Sequence, residues 1–160
     1  MTSPTTLPYR RNVGAVLFNH VGKILVARRV DAGGGSSGWQ LPQGGIDPDE
    51  DPRTAVLREL AEEIGTDKAE IIGEHPVWLT YELPADLVGI ALRGRYRGQT
   101  QRWFALRFLG DDIDICLDRD PHSEFDAWRW TNLAELPGLA VGFKRPIYEI
   151  LTRAFARFAN

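Results

Sequence analysis

Residues 44–66 read GGIDPDEDPRTAVLRELAEEIGT, and the centre of this stretch has the pattern of a helix. Asp51 offers a carboxylate to the free N–H groups of a first turn. Pro52 has no N–H to leave unpaired, and Gly65 suits the left-handed residue that ends a helix. These signals predict a helix over 52–64. Wound at about 100° per residue, Val56, Leu57, Leu60 and Ile64 fall on one side and Glu59, Glu62 and Glu63 nearly opposite. The apolar side should pack on a sheet and present the acidic side outward. Like charges three and four residues apart weaken a helix, and Arg58 can relieve this by reaching Glu62. Two readings fit the helix alone. A solvated acidic face is the commoner one. The other is a hard-cation site, because Mg²⁺ and Mn²⁺ prefer carboxylate oxygen and bridge to phosphates.

Outward from this helix, Val13–Phe18 and Lys23–Val30 are rich in β-branched and aliphatic residues and flank Asn19–Gly22, which predicts a hairpin. Asp31–Gly38 is a Gly- and Ser-rich loop; no Gly-Lys-Ser/Thr follows it, so it is not a phosphate cradle of that type. Trp39–Pro42 reads as a short extended piece, and Gly44-Gly45 as the start of a turn. Ile71–Glu82, Gln101–Leu109 and Asp126–Trp130 read as strands, with Ile113–Leu117 a shorter one. Asn132–Leu136 reads as a helical turn and Arg145–Phe158 as a C-terminal helix. Strands precede, separate and follow the helices, which predicts an α+β domain: a mixed sheet covered by helices. Residues 1–8 read as a disordered leader and 9–158 as one domain.

The 160 residues are 43% hydrophobic and 26% charged, with a net charge of −3. That balance argues against broad, charge-driven nucleic-acid binding, and no DNA partner is expected. No apolar run approaches the roughly 20 residues that span a bilayer, so no membrane partner is expected. Cys116 is the only cysteine, so no internal disulfide forms; the expected location is the cytoplasm. His20, His75 and His122 are scattered without a zinc spacing, and no Ser-His-Asp pattern supplies a covalent nucleophile.

The stretch Gly44-x5-Glu50-x7-Arg58-Glu59-Leu60-x-Glu62-Glu63-x-Gly65 resembles the Nudix box. Every fixed position is present, and the one departure is Thr66, where an aliphatic residue is usual. The resemblance implies the Nudix fold, a mixed sheet sandwiched between helices, and hydrolysis of a nucleoside diphosphate linked to another group. It implies that Glu59, Glu62 and Glu63 bind Mg²⁺ or Mn²⁺, with the Gly45 carbonyl as a further ligand. Gly44, Glu50, Arg58 and Gly65 are implied as structural support. Such ions neutralise a pyrophosphate and activate water, so no covalent nucleophile is needed.

Further segments resemble one subfamily, the bacterial RNA pyrophosphohydrolases and related dinucleoside polyphosphate hydrolases. They are Tyr9–Gly14, Trp39–Gly45, Trp78–Pro84, Glu124–Trp130 and Val141–Arg145. Arg11 departs from the usual proline, and the Gly-rich loop is long. The subfamily implies that Arg10, Val141, Phe143 and Lys144 contact 5′-terminal nucleotides. It also implies that Glu124 is a fourth catalytic carboxylate, metal-linked or the general base, a choice between it and a box glutamate that the sequence leaves open. Beside the resemblance, an aromatic plane, a cation and a guanidinium suit a base sandwich. Arg28, Arg29, Gln43, Tyr81, Gln101 and Arg102 are candidates for a phosphate channel, Arg29 foremost because its fork matches phosphate oxygens. The five tryptophans read as packing residues.

The expected activity is removal of pyrophosphate from the 5′-triphosphate end of RNA, promoting RNA decay. The rival activity is asymmetric cleavage of dinucleoside polyphosphates such as Ap4A. A nucleotide-sensing module without catalysis is a third reading, disfavoured because all three box glutamates are present. No protein partner is expected.

Overall fold

Ten consecutive residues, Tyr9–Phe18, form the strand (β1) around which the molecule is built. The computed structural model describes residues 6–29, 38–121, 124–140 and 142–159. Most of the Gly-rich loop, Val30, His122, Val141 and the first five residues of the expected leader lie outside the described residues.

From Asn12 to Phe18 every residue of β1 is buried. A strand exposed on one face would alternate, so continuous burial means that both faces are covered. The side chains separate accordingly. Val13, Ala15 and Leu17 join a core with Val56, Leu60 and Ile64 of the helix α1 (Pro52–Ile64). Val16 and Phe18 join another with Leu136, Ile147, Tyr148 and Leu151. The last four lie on two helices, the single turn α2 (Leu136–Leu139) and α3 (Arg145–Ala154).

The strands are β2 (Ile24–Arg29), β3 (Trp39–Gln40), β4 (Gln43–Gly45), β5 (Ala69–Glu74), β6 (Leu79–Glu82), β7 (Gly98–Phe108) and β8 (Phe125–Thr131). The main path of the sheet runs β3-β2-β1-β7-β5, with β4 on β1, β6 on β7 and β8 on β2. β1 and β7 are parallel from Tyr9↔Gly98 to Phe18↔Arg107, and the other pairings are antiparallel. A parallel pair needs a long crossover, and the chain between β1 and β7 contains α1. The sheet is therefore mixed and lies between helices, as expected.

Several local expectations change. The single strand expected over Ile71–Glu82 is two, β5 and β6, both paired with β7. Pro76, which has no N–H to give to a ladder, lies in the break. Gly44-Gly45 is strand rather than turn, paired with Asn12 and Val13 of β1. Ile113–Leu117 is not a strand; a 3₁₀ turn at Asp112–Asp114 is capped by Asp111 and Asp114. The C-terminal helix stops at Ala154, and a 3₁₀ turn follows at Ala156–Phe158. A turn at Ala91–Gly94, left-handed at Leu92 and Arg93, had no signal in the sequence.

Candidate active site

The termini of α1 form as their residues dictate. Asp51 accepts from the Arg53 N–H at 2.7 Å, and Gly65 closes the helix with φ 79°, its N–H bonded to Ala61 O. From the middle of the helix Arg58 reaches back to the preceding loop. Its Nε and Nη2 donate to the two oxygens of Glu50, each at 2.8 Å, and Nη2 also donates to Gly45 O at 2.9 Å. Its Nη1 donates to Glu59 at 2.9 Å and to Glu62 at 3.1 Å. One guanidinium thus ties the loop, β4 and the acidic helix together. The Glu50 carboxyl is held down to about 2, first by these bonds from Arg58.

The acidic side is not simply presented outward. Glu62 is exposed, but Glu59 is 8% exposed, and its carboxylate lies against the Cα of Gly44. A Cβ at Gly44 would stand 1.9 Å from Glu59 Oε2, so any other residue would displace the carboxylate or the strand. Burial raises the Glu59 carboxyl above its usual range. It pushes Glu63 up to about 8, with the charges of Glu59, Glu124 and Glu62 adding and Arg29 opposing. Among the described residues, no three His, Cys, Asp or Glu side chains already converge on an ion position. Arg58 bridges Glu59 and Glu62 instead.

Opposite these carboxylates stands an aromatic corner. The Tyr81 and Phe143 rings meet at 5.5 Å, and Lys144 Nζ lies 5.6 Å from the first ring centre and 5.9 Å from the second. Burial, then the charge of Arg29, lowers Lys144 to about 8. Beneath the corner runs a ladder of amides on β1, β4 and β7. Gln99 Nε2 donates to the Tyr81 hydroxyl at 2.5 Å, and Gln99 Oε1 accepts from Asn12 at 3.1 Å and Arg10 at 3.2 Å. Gln101 Nε2 donates to Asn12 at 3.0 Å and to Gln43 at 2.6 Å. These bonds satisfy buried amides and fix Arg10 and Gln43 at the floor of a cavity of about 480 Å³.

The NUDIX domain family matches residues 8–151 of this chain. The chain belongs to the Nudix family. Two curated Nudix relatives, each 64% identical over all of this chain, are named RNA pyrophosphohydrolase. They come from Gluconacetobacter diazotrophicus, with 99% of its length covered, and Acidiphilium cryptum, with 98% covered. Among solved structures, the MutT protein of Methanosarcina mazei aligns with TM-score 0.67 at 24% identity, covering 93% of this chain and 96% of its own. The C. elegans Ap4A hydrolase aligns with TM-score 0.62 at 20% identity, covering 92% and 96%. At those identities the likeness shows the Nudix fold alone.

The Nudix cavity gathers most of the residues singled out from sequence. Glu59, Glu62, Glu63 and Glu124 line it with Gly44 and Gly45, and so do Arg10, Arg29, Gln43, Tyr81, Phe143 and Lys144. Glu124 is exposed and paired with Arg29 Nη2 at 2.7 Å. Glu50, Arg58 and Gly65 do not line the cavity. Three channel candidates do not line it. Arg28 is held by Asp126 at 2.9 Å, Arg102 by Glu74, and Gln101 is buried beneath the floor. The Tyr81 hydroxyl accepts from Gln99, which leaves its O–H free to donate. Sequence reading missed Asn12 and Gln99, and the Leu83–Leu92 segment that borders the cavity with Leu83, Leu87 and Ala91. The alternation of Gln99, Gln101 and Trp103 on an apolar strand was the available signal for the two glutamines.

Proposed function

We propose that this chain removes pyrophosphate from the 5′-triphosphate end of RNA, leaving a 5′-monophosphate and promoting RNA decay. It is a Nudix hydrolase acting on phosphoanhydride bonds. The observation that carries the substrate is one cavity holding both the carboxylates of α1 and the Arg10, Tyr81, Phe143 and Lys144 wall. A phosphate chain and the nucleoside that bears it thus have adjoining places. The full-length likeness to two proteins named RNA pyrophosphohydrolase supports the same substrate class.

Nudix hydrolases generally use divalent metal ions. The residues here fit one. Glu59, Glu62, Glu63 and Glu124 supply hard oxygen donors, and the Glu63 carboxyl, raised first by burial and then by the neighbouring carboxylates, is a group whose charge a cation would stabilise. We assign Mg²⁺ or Mn²⁺ to Glu59, Glu62 and Glu63, with Glu124 and the Gly45 carbonyl as further donors. Bound there, the ion would neutralise phosphate oxygens and lower the pKa of water.

The chain's own groups do the rest. Arg29 offers its fork to phosphate oxygens, at present shared with Glu124. Arg10, Phe143 and Lys144, with Val141 beyond the described residues, hold the terminal bases; Gln43 and the Tyr81 ring shape the floor. Water adds to the α-phosphorus, the bond to the β-phosphate breaks, and the water's proton passes to a carboxylate of the cluster. Glu50, Arg58, Gly44 and Gly65 position the loop and helix. We place this chemistry in the cytoplasm, with the RNA.

Asymmetric hydrolysis of dinucleoside polyphosphates is the second reading, because the cavity's features address a nucleoside and a phosphate chain, which both substrates have. Comparing kcat/KM on 5′-triphosphate RNA and on Ap4A decides between them; a higher value on Ap4A would overturn the first. Glu63→Gln should cut kcat by at least about 100-fold on either substrate and leave the circular dichroism spectrum unchanged. Wild-type turnover in that variant would remove the carboxylate cluster from the mechanism.

A further inference from the structure

The basic lining of the cavity does not end at the clamp. A second cavity of about 440 Å³ shares Arg10, Arg29, Leu92, Arg93 and Glu124 with the first and continues along Arg95 and Tyr96. Four arginines face one carboxylate there, in a chain whose net charge is −3. Such local concentration of one sign in a concave site focuses the field on an anionic ligand. Neighbouring Arg97 is held by Glu82 at 2.7 Å, whereas no carboxylate among the described residues pairs with Arg93 or Arg95.

The backbone that delivers these side chains is unusual. Leu92 and Arg93 both sit in the left-handed region, φ 55° and 60°, which non-glycine residues use sparingly. The preceding turn is held by the Ile90 and Ala91 N–H groups, which donate to Leu87 O at 3.1 and 2.9 Å. The left-handed pair is closed by the Arg95 N–H, which donates to Leu92 O at 3.3 Å. This backbone sets Leu92 and Arg93 at the boundary of both cavities, with Arg95 and Tyr96 beyond.

In the RNA reading above, the triphosphate end with its first nucleosides takes the first cavity. An RNA then continues, adding one negative charge per nucleotide and a base with a flat face. We propose that Arg93, Arg95 and Tyr96 form a path for the RNA chain downstream of the hydrolysed end, the arginines on its phosphodiesters and the Tyr96 ring against a base. The proposal deepens the RNA reading above and rests on it. Contacts of this kind respond to length and salt rather than to sequence.

The test is equilibrium binding of 3′-labelled, 5′-monophosphorylated oligoribonucleotides, a dinucleotide and an octanucleotide, with Mg²⁺ present. The wild type should bind the octanucleotide more tightly. Its log-affinity should also fall more steeply with log salt, by about 0.7 for each added phosphate contact. Arg95→Glu, at an exposed position, should weaken the octanucleotide roughly fivefold and the dinucleotide by less than about twofold. Equal affinity and equal salt slope for the two lengths in the wild type would overturn the path. So would equal weakening of the octanucleotide, the dinucleotide and Ap4A by Arg95→Glu. Turnover of 5′-triphosphate RNA is measured separately, so length-dependent binding without turnover would reject the activity and keep the path.

Discussion

Lys144 is a cation set beside two touching rings, and its burial gives the protein a titration near neutral pH. The ammonium is lowered to about 8, by burial first and then by Arg29. It is therefore charged below that pH in the free protein and neutral above it. Because kcat/KM reports groups of the free enzyme, kcat/KM on 5′-triphosphate RNA should fall as pH rises through about 8. Loss of one charge-assisted contact predicts a drop of roughly tenfold before levelling. Lys144→Arg keeps its charge at high pH and should flatten that limb. A wild-type profile level to about pH 10, where an ordinary lysine titrates, would remove Lys144 from phosphate or base recognition. The identity of this residue stood in the sequence through resemblance. Its perturbed state did not, because the Tyr81 ring and the charge of Arg29 come to it from distant segments, while only Phe143 is its neighbour in the chain.

At the scale of the element, α1 depends on its tie to the loop before it. Glu50 has a depressed folded pKa of about 2 through Arg58. A depressed carboxylate contributes stability that is complete above its unfolded value, near 4.3. The contribution is lost as pH falls toward the folded value. Glu50→Gln should therefore cost about 2 kcal/mol at pH 7, the scale of hydrogen bonds to a charged group. The gap in Tm between variant and wild type should close as pH falls from about 4 toward 2. A gap that persists unchanged at low pH would mean that the Glu50–Arg58 pair does not carry the coupling. The ends of α1 were legible because caps are local: Asp51, Pro52 and Gly65 act on their own neighbours. The acidic face was misread as outward because the cover on Glu59 is not local. It is laid there by β4, whose strand character comes from pairing with β1 rather than from its glycines. The break between β5 and β6 hid for a similar reason, since both segments pair with the same long partner.

Across the whole molecule, the mixed sheet was legible because β1 is apolar on both faces and two amphipathic helices were available to cover it. The Nudix box was legible because its spacing survives as one continuous string. The far wall of the cavity was not, since Gln99, Asn12 and the Leu83–Leu92 segment meet only when β7 lies parallel to β1. That assembly has a thermodynamic consequence. Glu59, Glu62 and Glu63 come from α1, while Glu124 stands just before β8, so the cluster exists only in the folded chain. A ligand that binds the folded state alone stabilises it by mass action, by about 2.7 kcal/mol at one hundred times its Kd. For a domain of this size that corresponds to a rise in Tm of roughly 5–10 °C. Mg²⁺ or Mn²⁺ added to the chelator-treated protein should produce such a rise at saturating concentration, and Glu59→Gln with Glu63→Gln should abolish it. The measurement needs no substrate and no turnover. A wild-type Tm indifferent to both ions would reject the assignment of a cation to these carboxylates, whatever the activity assays show.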